Sequence, residues 1–335
     1  MALDVLVPDL LVPADAPAAL REVRLPHLER WLVRSELERR SAHTATEALA
    51  AAYGIEPPVP LAAVSIAGED PGDAAPGGWL RADPVHLRVD RDSVTLHDPA
   101  VLGVRLDEAR ILASDLQALF TPDFVLHVAA PDRWYIHASR ADLPATTPLP
   151  QAVGRNVFGL LPRSQGRMRW AAVLTEAQMV LSGHPVNAAR EAAGEPPINS
   201  LWFWGDGETP ASVPRPYADV HGEDVFARGL ARLSGARIHR LPERLGSLDV
   251  PASGESALLV LSTLSAPLKR NEPEAWLAAA RELDERWFAQ LAETIERFDR
   301  VRLVLPSEKG TRIATLTPRS KLRWYRRAKP LAHHA

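Results

Sequence analysis

A chain of 335 residues with 46% hydrophobic and 24% charged residues can form more than one globular domain and has ordinary globular composition. Its net charge of −3 argues against a surface built wholly for polyanions, and its lack of cysteine removes disulfide frameworks, thiolate metal sites and cysteine nucleophiles. The apolar run Met1 to Pro13 carries Asp4 and Asp9, has no basic leader and is too short to span a bilayer, so a cytoplasmic protein without a membrane segment is expected.

In chain order, Val5-Leu6-Val7-Pro8-Asp9 reads as a strand ending in an acid. Leu25 to about Arg40 reads as a helix with Leu28, Trp31, Leu32 and Ser35 on one face. Thr46 to Tyr53 is Ala-rich and predicts a helix that stops at Gly54. The Pro and Gly residues between Glu56 and Gly78, including Glu69-Asp70-Pro71-Gly72, predict a linker or an active-site-edge loop. Val85, Leu87 and Val89 alternate with polar residues, turn at Asp90-Arg91-Asp92-Ser93 and resume at Val94 and Leu96, which is a hairpin pattern. Ala109, Leu112, Leu116 and Leu119 share a helical face, and Phe124 to Val128 and Trp134 to His137 add two strands, giving an α+β module. From Arg169 to Gly183 an apolar helix is expected to return the chain to the first domain, ahead of a strand over Leu201 to Trp204. Ala257 to Ser262 and Val301 to Leu305 are apolar runs of strand length, and between them Trp276, Ala280, Leu283, Trp287, Leu291 and Phe298 recur at helical spacing. Strand, helix and strand predict a parallel βαβ unit, hence an α/β core with a mainly parallel sheet, split by an α+β insert.

Asn199-Ser200-Leu201-Trp202-Phe203-Trp204-Gly205-Asp206-Gly207 resembles the Asn-x-Ile-Trp-Leu-Trp-Gly-x-Gly signature of cofactor-independent phosphoglycerate mutases, the archaeal-type branch of the alkaline-phosphatase superfamily. Further similarities follow in the family's order. Leu25-Pro26-His27-Leu28-Glu29-Arg30-Trp31-Leu32 resembles the helix entry TPNLDRLA, Arg81 to Asp98 with Asp107-Glu108-Ala109-Arg110 resembles the opening of the cap, and Leu181 to Asn187 with Arg190 resembles an hPVNxxR segment. The resemblance implies an alkaline-phosphatase-like core over residues 1–80 and 161–335 and an inserted α+β cap over 81–160, with the RpfE-type regulatory proteins as nearest kin.

The same resemblance makes a chemical demand. Two divalent ions in that superfamily need Asp and His at strand ends, to activate a hydroxyl nucleophile and clamp phosphoryl transfer. Where the family has TDxxGH, this chain has Ser262 to Arg270 with neither Asp nor His; where the family has TGDHS, it has Pro306-Ser307-Glu308-Lys309-Gly310. An ammonium group repels a divalent cation and offers it no lone pair, so the implied two-metal site is expected to be lost and no cofactor is expected. Asp9 stands where the first metal-binding Asp would be, and Ser41 and Thr44 are the nearest equivalents of the nucleophile, with helix N-cap duty as the other reading of Thr44.

His184, Asn187 and Arg190 are expected to bind ligand, as are Lys269, Arg270 and Lys309 beside Asp9, which could turn the metal site into an anion site for a phosphorylated small molecule or a protein partner. The leading expectation is a non-catalytic regulatory or anion-binding protein. The rival is a divergent phosphomutase or phosphatase using manganese, magnesium or zinc, with ligands from Asp9, Asp206, Asp219, His221 and Asp224. A third reading is nucleic-acid binding through the basic segment Arg319 to Lys329, which surrounds Trp324-Tyr325. The remaining histidines fall in no HExxH or H-x-x-x-H pattern.

Overall fold

Apolar runs of strand length supply the spine of the computed structural model, which describes residues 1–69, 75–97, 99–122, 124–138, 143–162, 170–252 and 254–334. Its strands are β1 (Ala2–Leu6), β2 (Glu36–Arg40), β3 (Gly78–Val89), β4 (Val94–His97), β5 (Phe124–Ala130), β6 (Arg133–Ala138), β7 (Ser200–Glu208), β8 (Asp219–His221), β9 (Arg237–His239), β10 (Ser256–Val260), β11 (Arg300–Leu305) and β12 (Thr311–Leu316). The chain divides into two compact units, Met1–Pro57 with Ser212–Ala335, and Pro58–Ala211.

In the first unit a seven-stranded sheet runs in the order β2-β12-β11-β1-β10-β8-β9. The five strands from β11 to β9 are parallel, and β12 and β2 complete one edge in antiparallel pairing. Parallel strands are covered on both faces, which is why β1 and β10 are almost wholly apolar. Leu3, Val5, Ala257, Leu259, Val301 and Leu303 pack against Leu28, Trp276, Leu283, Leu291 and Ile295 from the covering helices. On the opposite face Asp4, buried in the central strand, is gripped by its register partner Arg302 and accepts a hydrogen bond from the Tyr217 hydroxyl at 2.5 Å. The chain from β10 to β11 makes the expected parallel crossover, with β1 seated between the two strands.

Two expected helices change shape. The helix over 25–40 is confined to Pro26–Leu32, and Glu36–Arg40 is the edge strand β2. The buried Ser35 hydroxyl donates to the Leu32 carbonyl and closes the helix end, while the charged residues of β2 suit an edge that must not recruit another strand. The crossover helix breaks at Trp287 into Pro273–Arg286 and Leu291–Arg297. A straight helix would hold Phe288 about a third of a turn from Trp276, yet both enter one core, so the chain must bend.

The second unit is an antiparallel sheet built on β3, a strand of 12 residues. One edge of β3 pairs with β7, the other with β6 and then β4, and β5 pairs with β6. The helices Leu106–Phe120 and Trp170–Ser182 cover it through Leu112, Leu116, Trp170 and Leu174, which meet Leu80, Trp134, Leu201 and Phe203. The Trp-rich strand and the helix before it therefore belong to this unit, not to the α/β core, because the partner that pairs with β7 is β3. Residues 58–211 thus extend past 81–160 at both ends. The expected positions Asp70 to Gly72, Asp98 and Arg169 lie outside the described residues.

The stretch expected as a linker holds the helix Leu61–Glu69, buried along nearly its whole length because it is made of small apolar residues. Gly207 makes that packing possible: a Cβ there would lie 2.5 Å from Cβ of Pro60. At Gly205, φ is +70° and a Cβ would meet Leu61 at 3.0 Å. The signature's Trp204 donates its indole N–H to Asp83 at 2.7 Å, and Asp83 also accepts three bonds from the buried Arg81 guanidinium and one from the Trp134 amide. Arg81 in turn lies over the rings of Tyr135 and Trp204, 4.8 and 5.3 Å from their centroids. Among the described residues no helix is long and apolar enough to cross a membrane.

Removing one partner of a buried ion pair strands the other charge. Asp83→Ala is expected to lower the unfolding free energy of the protein by about 3–5 kcal/mol, read as a shift of the urea midpoint; a change within the scatter of surface substitutions would refute this account of the signature.

Candidate functional site

Open α/β sheets bind ligands beyond the carboxyl ends of their strands. Parallel pairing gathers four such ends here: Val7 to Asp9 after β1, Leu261 to Ser265 after β10, Pro306 to Lys309 after β11, and Gly222 to Asp224 after β8. Asp9 takes the left-handed backbone conformation with φ 59°, uncommon outside glycine though Asp tolerates it, and the Trp276 indole holds its carbonyl at 3.1 Å. Immediately beyond Asp9, Leu10, Val12, Arg21, Ser307, Glu308 and Lys309 line a cleft of about 200 Å³.

The segment carrying the two hydroxyl candidates reaches the same turn. His43 Nδ1 donates to the Glu308 carbonyl at 2.8 Å, and the Thr311 hydroxyl donates to the Ala42 carbonyl at 2.7 Å. Thr44 is the N-cap of the helix Ala45–Ala52, its oxygen accepting from the Glu47 amide at 3.1 Å, while Glu47 accepts in return from the His43 amide. Ser41 is exposed.

The three strand-end cations do not line one cleft. Lys309 faces the cleft with Arg21; Lys269 is exposed at the end of the short helix Ser265–Lys269, and Arg270 is paired with Glu272 at 2.9 Å in solvent. Sequence reasoning missed Arg21 because only the loop from Asp9 to the helix Ala18–Arg21 brings it there, and a loop carries no periodic signal.

Asp219 and His221 lie on β8 beside the edge strand β9, where register sets Asp219 opposite Arg237 and His221 opposite His239. Arg237 grips Asp219 with two bonds of 2.7 Å, His239 Nε2 adds a third at 2.7 Å, and the His221 and His239 rings stack with centroids 4.6 Å apart. The Arg237 bonds, aided by His239 against the opposing effect of burial, pull the Asp219 pKa down to about 2. Burial, then the neighbouring His239, pushes the His221 pKa below its ordinary value. Asp224 caps the helix Val225–Ser234 by accepting from the Ala227 amide at 2.9 Å.

The register runs from His221 through Leu259 to Val5, so His221 stands two strand spacings, roughly 9.5 Å, from β1 and behind Asp9 along the sheet. One ion bridging Asp9 and His221 would need both within about 5 Å. Asp206 lies in the second unit and accepts from the Thr146 hydroxyl. Among the described residues no group of three or more His, Asp or Glu side chains could hold a metal ion.

His184, Asn187 and Arg190 also fall in the second unit, where all three brace the backbone. His184 caps the helix Pro185–Ala192: its Nδ1 accepts from the Val186 amide at 3.1 Å, which leaves Nε2 to donate to Asp115 at 2.9 Å. Asn187 donates to the Leu181 and Ile198 carbonyls and accepts from the Ile198 amide. Arg190, fully buried, bonds Glu108 at 2.9 Å and the Pro196 and Leu102 carbonyls.

The fold and the strand-end cleft define an α/β protein whose ligand edge lies at the carboxyl ends of a mainly parallel sheet, joined to a second α+β unit. No family model matches the chain. In sequence it is similar to the 2,3-bisphosphoglycerate-independent phosphoglycerate mutase of Methanosarcina acetivorans, 24% identical over 230 residues that cover 62% of this chain and 57% of that protein. Its similarity to the Methanosarcina mazei protein of the same name is 25% over 282 residues, covering 73% and 71%. The chain spans about half the length of the first curated relatives it matches. The PH0037 protein from Pyrococcus horikoshii shares the fold, with a TM-score of 0.56 at 12% identity over 94% of this chain and 87% of that one. The chain is thus phosphoglycerate-mutase-like, as its aromatic signature implies.

Because the folded state disfavours protonated His221, its contribution to stability is complete above the unfolded pKa of 6.5 and is lost as pH falls through the lower folded value. The thermal midpoint is expected to drop between about pH 7 and about pH 5, and less steeply in His221→Gln; equal slopes for the two proteins would refute the assignment.

Proposed function

We propose that this phosphoglycerate-mutase-like chain is a cytoplasmic regulatory protein, akin to the RpfE-type group, that binds an anionic ligand at the strand-end cleft and has lost two-metal phosphoryl transfer. One observation carries the reading. The ends of β1, β10 and β11 present Asp9, the hydroxyls of Ser262, Thr263, Ser265 and Ser307, and Glu308 beside Lys309. Two divalent ions need several carboxylates and imidazoles converging on them, and these three strand ends offer two carboxylates with an ammonium group next to one.

The rival ligands support the same conclusion. Asp219 and His221 are committed to β9 and Asp224 to a helix cap, so recruiting them would break bonds that hold the sheet edge. Thr44 has the geometry of a cap, and a hydroxyl without a metal or a base to lower its pKa is a weak nucleophile. Arg21 and Lys309 line the cleft together with Glu308 and the apolar Leu10, Leu11 and Val12, and the two cations suit a small phosphorylated molecule or a phosphorylated side chain of a protein partner.

Purified protein supplied with manganese, magnesium or zinc is expected neither to interconvert 2- and 3-phosphoglycerate nor to hydrolyse a generic phosphomonoester, and elemental analysis should find no stoichiometric divalent metal. Titration with 3-phosphoglycerate should raise the thermal midpoint of the wild type but not of Lys309→Ala. Turnover abolished by a chelator would overturn the proposal.

A further inference from the structure

Residues 309–335 carry eight Lys and Arg and no Asp or Glu, in a chain whose net charge is −3. The fold concentrates these cations further. The segment beyond β12 forms a 3-10 turn over Pro318–Arg323 and runs back along the end of the helix Pro26–Leu32, where the Arg323 and Arg326 guanidiniums donate to the Arg34 and Val33 carbonyls at 3.0 Å each. A cleft of about 600 Å³ opens there, lined by Leu32, Leu37, Arg326, Arg327, Lys329 and His334.

The neighbouring acids are already engaged. Glu36 pairs with Arg323, Glu38 with Arg40, and the buried Glu29 with Arg24 and the Leu331 amide. Among the described residues Arg319, Arg327 and Lys329 have no acidic partner. His334, only 5% exposed, lines the cleft with its Nε2 buried and without a hydrogen-bond partner, and Arg34 Nε is buried and unpartnered nearby. Burial first, then Arg312, Lys329 and His333, pushes the His334 pKa down; burial and Arg30 do the same to Arg34. In both, neighbouring cations add to the effect of burial.

The same segment leaves large apolar side chains in solvent: Leu322 is 72% exposed, Trp324 73% and Tyr325 67%. Free cations beside exposed aromatic faces match the two needs of a single-stranded nucleic acid, charge for the backbone and flat rings for the bases. A duplex hides its base faces and cannot use the rings. A bilayer would use rings and charge, but it is flat and does not reach into a concave cleft that holds a buried imidazole.

We propose that the C-terminal basic segment, with the cleft against Leu32 and Leu37, is a binding site for single-stranded nucleic acid, in which Arg326, Arg327 and Lys329 contact phosphates and Trp324 and Tyr325 stack on bases. The same segment also borders the strand-end cleft, which Leu331 and Ala332 help to line, but the proposal does not depend on the function proposed for that cleft.

The test is fluorescence anisotropy of the whole protein with a labelled oligothymidine of about 15 nucleotides, with the matching duplex and phosphatidylserine vesicles as separate arms. About three to four phosphate contacts predict a roughly 20- to 50-fold loss of affinity between about 50 and about 200 mM salt. Trp324→Ala with Tyr325→Ala should weaken single-strand binding by at least about 5-fold, and Arg327→Glu with Lys329→Glu should flatten the salt dependence. These side chains are exposed, so folding is checked by an unchanged circular dichroism spectrum. No binding at low salt, a preference for the duplex, indifference to the aromatic substitutions, or binding to vesicles alone would each overturn the proposal.

Discussion

The parallel pairing of β1 with β10 on one side and β11 on the other is the constraint from which the first unit follows. It fixes which loops can share an edge and therefore which side chains can share a ligand. Asp4 reinforces it from within the central strand, since a buried carboxylate held by Arg302 on β11 and by Tyr217 ahead of β8 resists a slip of register. A slip by one residue would turn Leu3 and Val5 out of the core and leave Asp4 facing it. The composition of the edge is thus decided by a few residues after each strand.

How much of this was legible in the sequence depended on whether a segment's partner was local. The hairpin over Val85 to Leu96, the helix over Leu106 to Phe120 and the strands β10 and β11 carry their own periodicity, and each forms where the pattern places it. Glu36 to Arg40 is different: its charged, helix-compatible residues become a strand only because β12 offers an edge to pair with. Likewise Leu61 to Gly68 looked like a turn-rich connection because prolines and glycines flank it, whereas Gly205 and Gly207, far along the chain, make room for a helix. Trp202 and Trp204 announced a buried strand, but periodicity cannot say which sheet receives it.

The candidate site shows the same division. Thr44 reads as a cap from its place before a helix, while Asp224 and His184 are expected as ligands, and capping is the work all three side chains do. The network among Asp219, Arg237, His221 and His239 was visible only as a local density of Asp and His; the register of two edge strands gives it form, and that form is a clamp on the edge. Arg21 carries no signal, since a surface arginine after a proline-rich loop reads as solvated until it is found lining the same cleft as Lys309.

These placements clarify what the resemblance to phosphoglycerate mutases rests on. The aromatic signature and the His-Pro-Val-Asn segment lie in the second unit, where they supply indole donors to Asp83 and Thr147, caps for a helix and bonds to loop carbonyls. Such residues must persist if the unit is to fold, whatever happens at the sheet edge. At the sheet edge, by contrast, Lys309 is exposed and lines the cleft. The resemblance is therefore carried by buried polar contacts of the second unit, and fold and function here are read from different residues.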